Sequence, residues 1–450
     1  MQISLYTKKI IYIITLTGKI MKQKLILIVI AIATMMLAAQ PLHAAADLGD
    51  KNTLDYHGSI RIGTGLTKDG ETQVEFQAPG AETNFRLGNE ADTNYKLAFD
   101  HRYYMDGIKI DTEKHVQSVI MMEGYDKQGN EHDIDVSKLA QMYVSFNNIL
   151  GEGTNLWVGR RWYKRTSTYM TDHFWLNTGQ HSRAAAGIEG VKIFGGNFST
   201  ALIMSEDNAV KIAEEDTSPK ESVNSTALDF RLENISVNQG GELNFWAYYN
   251  QRPENIEAQL DDEDGFGLAA WHTQSIFDGQ GKNTIHVMYR EGTAVSRSDF
   301  NPNPLMNNAA IENVDYLEVA TDTVTKLGHN WDLAFTALYR NTQKKMLGEI
   351  KETDWFSIGI RPQYTISEHF SVVFEIAHDQ VDSDDASGGL TKFTTAFQIG
   401  AKPGYWARPV ARLFVTVASW DDEFRGDIGG KTFADDTFGW TAGVQGEWWW

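Results

Sequence analysis

Residues 157–177 read WVGRRWYKRTSTYMTDHFWLN, a mixture of rings and charges that could hold a polar ligand. Trp, Tyr and Phe stand among the cations Arg160, Arg161, Lys164 and Arg165, with Asp172 as the carboxylate. Sugars present C–H faces that lie on aromatic rings, and hydroxyls that need charged or polar partners at their edges. Taken alone, the stretch also fits a surface loop with ordinary aromatic packing. A covalent reaction fits poorly, because the chain has no G-x-S-x-G elbow and no H-E-x-x-H zinc helix. His272 and Ser275 come nearest to a hydrolytic pair, but three residues apart on an extended strand they point to opposite faces. Neither catalysis nor a cofactor is expected.

To act together, these side chains need elements that hold them, and beyond residue 45 no segment keeps a helical period for long. A two-residue rhythm recurs instead. Leu54, Tyr56, Gly58, Ile60 and Ile62 share one face, and Asp55, His57, Ser59, Arg61 and Gly63 the other. Leu243, Phe245, Ala247 and Tyr249 oppose Asn244, Trp246, Tyr248 and Asn250, while Ile285, Val287 and Tyr289 oppose Thr284, His286, Met288 and Arg290. Near the end, Leu413, Val415 and Val417 oppose Arg412, Phe414, Thr416 and Trp420. Arg86, Glu90, Asp92 and Lys96 alternate with Phe85, Leu87, Tyr95 and Leu97, which reads as a further strand with a charged face.

A water-filled lumen accepts such a face, whereas a soluble sandwich or a small packed barrel keeps charge out of its interior. The pattern therefore predicts an all-β fold, a transmembrane antiparallel β-barrel with a wet interior. At the terminus, Trp440, Ala442, Val444, Trp448 and Trp450 share the apolar parity, and Thr441, Gln445, Glu447 and Trp449 the other. An aromatic last residue on an amphipathic strand suits the interfacial girdle of an outer-membrane barrel. A soluble periplasmic glycan-binding β-protein is the competing architecture.

The first 45 residues stand apart. From Met21 the chain reads MKQK, then an apolar run over 25–37, then small residues over 44–46, which is the order of a secretory signal. The run is shorter than the roughly 20 residues a transmembrane helix needs. Residues 21–45 are expected to be a cleaved signal peptide. Residues 1–20 lie upstream of a complete signal and are expected to precede the true start at Met21, or else to extend its n-region. Residues 46–450 then form one barrel domain in the outer membrane. That length, at roughly 10 residues per strand plus turns and loops, gives on the order of 16 to 18 strands.

With no cysteine, no disulfide holds the fold together. The leader carries five of the 40 basic residues and no acid, so 35 basic residues face 60 acidic ones beyond it. Such a balance repels nucleic acid. Acid runs at 214–216, 261–264 and 382–385 read as solvated loops, and none has the ligand spacing of a calcium-binding EF-hand.

Within this architecture, six short blocks in order resemble the maltoporin family of sugar-specific porins. They are residues 157–177, 85–90 (FRLGNE), 272–275 (HTQS), 359–362 (GIRP), 406–409 (WARP) and the terminal tryptophans. The resemblance implies an eighteen-stranded barrel, a homotrimer, and passive diffusion of oligosaccharides past a lumen track of aromatics flanked by ionic residues. It implies that Trp406 and Trp449 are track aromatics and that Phe174 stands where the family has a constriction tyrosine. It assigns Arg61, Arg86, Arg165 and Asp172 to the ionic track, with Lys96 and Lys138 where Glu and Arg are expected and Asn177 in place of Asp. Ser59, Asn94 and Gln280 occupy three further track positions and cannot stack on a sugar. The inward-folded segment 166–177 is expected to narrow the channel.

Overall fold

A computed structural model describes residues 46–47, 49, 51–127, 135–179, 182–210, 220–254, 262–294, 312–346, 349–384 and 386–450. The leader, residues 1–20 and the acidic run at 214–216 lie outside the described residues. Eighteen antiparallel strands form one wall, from Asn52–Thr67 to Phe438–Trp449. Each strand pairs with the next in chain order along the wall, as the hairpin connections of a meander dictate. The wall closes where Asn52–Thr67 pairs with Phe438–Trp449, from Ser59 opposite Trp449 to Thr67 opposite Thr441. The last residue takes part: Trp450 N–H donates to the Gly58 carbonyl at 3.1 Å, and Gly58 N–H to the Trp450 carbonyl at 3.2 Å. Closure leaves no open sheet edge.

The two-residue rhythm sorts side chains between outside and inside, in reverse of a soluble protein. Ile62, Leu268 and Ile285 are 57%, 54% and 50% exposed on the outer surface. On the inner surface Asp229, Glu318 and Glu375 are 0% exposed. Apolar side chains in this number are stable on the outside only against lipid, and these three interior carboxylates survive because each is paired with a cation. At Leu54–Gly63, Leu243–Asn250, Thr284–Arg290 and the terminal strand, the faces fall as the alternation predicts.

Two local features break the rhythm. Residues 85–91 are a loop, and the strand starts only at Asp92. Phe85 and Leu87 are 1% and 3% exposed because the loop 68–91 folds into the barrel and packs both side chains against the inner wall. Gly359 permits this, since a Cβ there would stand 2.0 Å from the Phe85 ring. The second feature is a bulge around Ala140. Leu139 and Met142 both face outward, while Ala140 is buried inside. The extra residue reverses the parity upstream of it, so Lys138 cannot be assigned to a face by counting back from Met142. Its side chain lies outside the described residues.

The barrel's rims are unequal. One carries short turns, such as 194–195, 239–240 and 328–330, together with the C-terminus. The other carries the segments 68–91, 161–181 and 421–437. In barrels of this kind the short turns face the periplasm and the long loops face outward.

Candidate functional site: a hairpin across the lumen

Residues 161–181 can leave the wall because the strands on either side, Asn155–Arg160 and Ser182–Ile193, pair directly with each other. The excursion forms a hairpin of its own from Tyr163–Thr168 and His173–Thr178, joined by residues 169–172. Apolar packing and buried ion pairs fix it to one side of the lumen. At its base Tyr163, Trp175 and Leu176 are almost fully buried against Trp157, Trp246 and Trp271 of the wall. Arg231 bonds Thr178 Oγ1 at 2.7 Å and Asp229 at 2.9 Å. His173 of the return strand and His286 of the wall reach Glu318 at 3.0 Å and 2.7 Å, and Arg340 reaches the same carboxylate at 2.6 Å. Trp175 stacks on His286 with ring centroids 4.0 Å apart. At the tip, Arg86 N–H and an Arg361 guanidinium N–H donate to the Met170 carbonyl at 3.0 Å and 3.3 Å.

Facing the hairpin across the remaining aperture is the wall around Arg61 and Lys96. Arg61 donates to both oxygens of Asp92, at 2.9 Å and 2.5 Å, pairs with Glu90 at 3.0 Å, and comes within 4.0 Å of Asp172. Arg86 pairs with Glu90 at 2.6 Å and lies 4.6 Å from the Tyr169 ring. Arg165 is held between two rings, 3.8 Å from the Phe174 centroid and 4.2 Å from that of Trp162. Lys96 lies 5.2 Å from the same Trp162 ring. Of the ionic residues singled out in the sequence, Arg61, Arg86, Lys96, Arg165 and Asp172 therefore converge. Asn177 does not join them: it is 1% exposed, enclosed in the hairpin base.

The charges of the hairpin follow from this setting. Burial deep in the barrel pushes the Asp172 carboxyl up, but Arg86, Arg61, Lys96 and Arg165 outweigh it and hold the group below the usual carboxylate range. Its side chain is nonetheless 43% exposed, because the lumen that surrounds it is open. Burial lowers the Arg165 guanidinium to about 10, with Asp172 and Glu123 opposing the shift, so it stays charged at neutral pH.

The aromatics gather at a second point. Tyr169 contacts Trp406 at 5.0 Å, Trp449 at 6.0 Å and Tyr405 at 5.8 Å, all edge to face. Arg408 lies 4.0 Å from the Trp449 ring and pairs with Glu447 at 2.7 Å. Trp449 has the inner parity of its strand, opposite Ser59. Trp406 owes its position to a turn and not to strand parity. It sits in the turn 401–409 and is 52% exposed. Phe174 stands apart from this pair, with one ring face covered by Arg165. Trp406 and Gln280 line a cavity of about 630 Å³ on the short-turn side of the hairpin. Asn94 lies in register between Arg61 and Tyr125.

Sequence reasoning missed the residues that hold the site. Glu447 receives Arg408, Arg412 at 3.0 Å and the Tyr169 hydroxyl at 2.7 Å, and joins the last strand to the hairpin tip. Its inner parity was visible, as was Tyr169 within 157–177; that the two meet across 278 residues was not. Glu318 gave no signal beyond its alternation.

Among solved structures the chain is similar to Salmonella typhi OmpF in complex with daunomycin, with 10% identity over 90% of this chain and 100% of that one and a TM-score of 0.44. It is also similar to the anion-selective porin of Comamonas acidovorans, with 10% identity over 88% and 100% and a TM-score of 0.42. The outer-membrane channel DcaP of Acinetobacter baumannii matches with 12% identity over 90% and 100% and a TM-score of 0.42. The family model of the LamB porins matches residues 54–450. A closed barrel with lipid outside and paired charge inside, matched over that span, is an outer-membrane channel, and the chain belongs to the LamB porin family.

Proposed function

We propose that the channel carries sugars by passive diffusion, with maltose, maltodextrins or related oligosaccharides as the substrate class. The observation that supports this most is the juxtaposition of Trp406, Trp449 and Tyr169 with an aperture of fixed donors and acceptors. A sugar would rest its C–H faces on Trp406 and Trp449. It would exchange water for Arg61, Arg86, Arg165 and Asp172 at its hydroxyls, with Lys96 and Phe174 beside them. Transport needs several shallow sites, so the expected Kd is sub-millimolar to millimolar, about 4 to 5 kcal/mol. The family resemblance supports a homotrimer set in outer-membrane lipid and lipopolysaccharide. The segment 21–45 is proposed as the cleaved signal, with residues 1–20 upstream of the true start and 46–450 as the barrel domain.

The test is block of trimer current in planar bilayers by maltohexaose. Block that saturates in that range, and that weakens several-fold in Trp406→Ala and Trp449→Ala, is expected. An open channel that no glycan occludes would leave a general diffusion porin.

A further inference from the structure

Resting on the reading of this channel as a glycan pore, we propose that its preferred substrates are anionic oligosaccharides, held at the aperture through their carboxylate or sulfate groups by Lys96 and Arg165. The argument begins with which cations are already committed. Arg61 is matched by Asp92 and Glu90, Arg86 by Glu90, and Arg408 and Arg412 by Glu447. Each of these guanidinium groups is already held by carboxylate oxygens, so it attracts a further anion less than an unpaired cation does, while its remaining N–H groups can still meet a hydroxyl.

Lys96 and Arg165 differ. Neither has a carboxylate at ion-pair distance among the described residues, and both are placed by rings, sharing Trp162. Arg165 Nε is buried with no hydrogen-bond partner. A buried N–H left without an acceptor costs free energy, and a ligand oxygen that reaches it recovers that cost. The nearby acids do not cancel the pair. Asp172 is one carboxylate shared among four cations, Arg86, Arg61 at 4.0 Å, Lys96 and Arg165, while Glu123 stands opposite Lys96 in register.

The exit repeats the excess. The cavity below the hairpin is lined by Lys282, Lys326 and Lys402 against Asp322 and Asp332. The chain's overall charge of −20 does not decide the matter, because exposed charges are screened over about 8–10 Å while a narrow passage focuses the field of the groups that line it. A charged acceptor makes hydrogen bonds roughly twice as strong as a neutral hydroxyl, so an acidic sugar gains most where cations are uncommitted.

The experiment compares three glycans of equal length as blockers of the trimer's current at low salt: neutral maltohexaose, hexagalacturonate for carboxylates and a carrageenan hexasaccharide for sulfates. At least one acidic glycan is expected to bind about tenfold more tightly than maltohexaose, with the advantage shrinking as salt rises. Lys96→Glu and Arg165→Gln should each remove most of that advantage, weakening block by the acidic glycan several-fold more than block by the neutral sugar. Lys96→Glu should also move the reversal potential in a KCl gradient toward cation preference, a readout that needs no sugar. Maltohexaose binding as tightly as both acidic glycans would overturn this inference and leave the sugar channel standing. Failure of all three to block would overturn both. An unmoved reversal potential would show that Lys96 does not set the field in the aperture, against the proposal.

Discussion

At the scale of single residues, the aperture is a set of charges whose partners decide what each can do. Arg61, Arg86, Arg165 and Asp172 could be picked out from the sequence through its resemblance to the maltoporin family. Their pairing could not, since Arg86 and Glu90 come from a loop that alternation alone presents as a strand. Asp172 carries a pH prediction. Its pKa is lowered in the folded channel, so its charge and the stability that comes with it are complete above the ordinary carboxylate range near 3.9. Both are lost only as pH falls through the lowered value. Single-channel conductance and sugar block should therefore be flat between pH 7 and 5 and change only in stronger acid. Asp172→Asn should show the acid behaviour already at pH 7. A step between pH 7 and 5 that disappears in Asp172→Asn would mean that the arginines do not hold the charge as the geometry requires.

The hairpin is the element on which selectivity depends, and it is held at hubs that no local pattern reveals. His173 lies more than a hundred residues before His286 and Arg340 in the chain, yet all three meet on Glu318. The sequence could suggest that 166–177 folds inward only through the channel reading and the family resemblance, because its mixture of rings and charges fits a surface loop as well. It could not show that the base is buried, which is why Asn177 reads as an aperture residue and proves to be enclosed. The same limit applies to 85–91, where Phe85 needs Gly359 on a distant strand to accept its ring. Removing the hub should free the hairpin. Glu318→Ala leaves Arg340 buried without one of its carboxylate partners, a change that costs about 3–5 kcal/mol when a buried pair is broken. Higher single-channel conductance with frequent current fluctuations is expected, together with a lower unfolding temperature. Glu318→Gln, which keeps hydrogen bonding without charge, should fall between the two. A quiet channel of unchanged conductance in Glu318→Ala would show that apolar packing at Trp175 and Leu176 holds the hairpin unaided.

The whole molecule was the most legible from sequence, because one period governs every strand. Where side chains alternate over many segments and the polar face carries Arg, Glu and Lys, a closed wall between lipid and water is the arrangement that satisfies both faces. Length bounded the strand number at about 16 to 18 and the family resemblance implied eighteen, while the hairpin's crossing and the Ala140 bulge depend on contacts between distant segments. Because the chain contains no cysteine, single cysteines can report which face each position occupies. The decisive measurement is the effect of a water-soluble methanethiosulfonate reagent on the current of four variants. Lys96→Cys and Arg165→Cys should lose conductance on reaction, whereas Ile62→Cys and Leu268→Cys, both exposed on the outer surface, should not respond. Modification that closes the channel from Ile62 or Leu268 and spares it at Lys96 and Arg165 would contradict a water column lined by these cations.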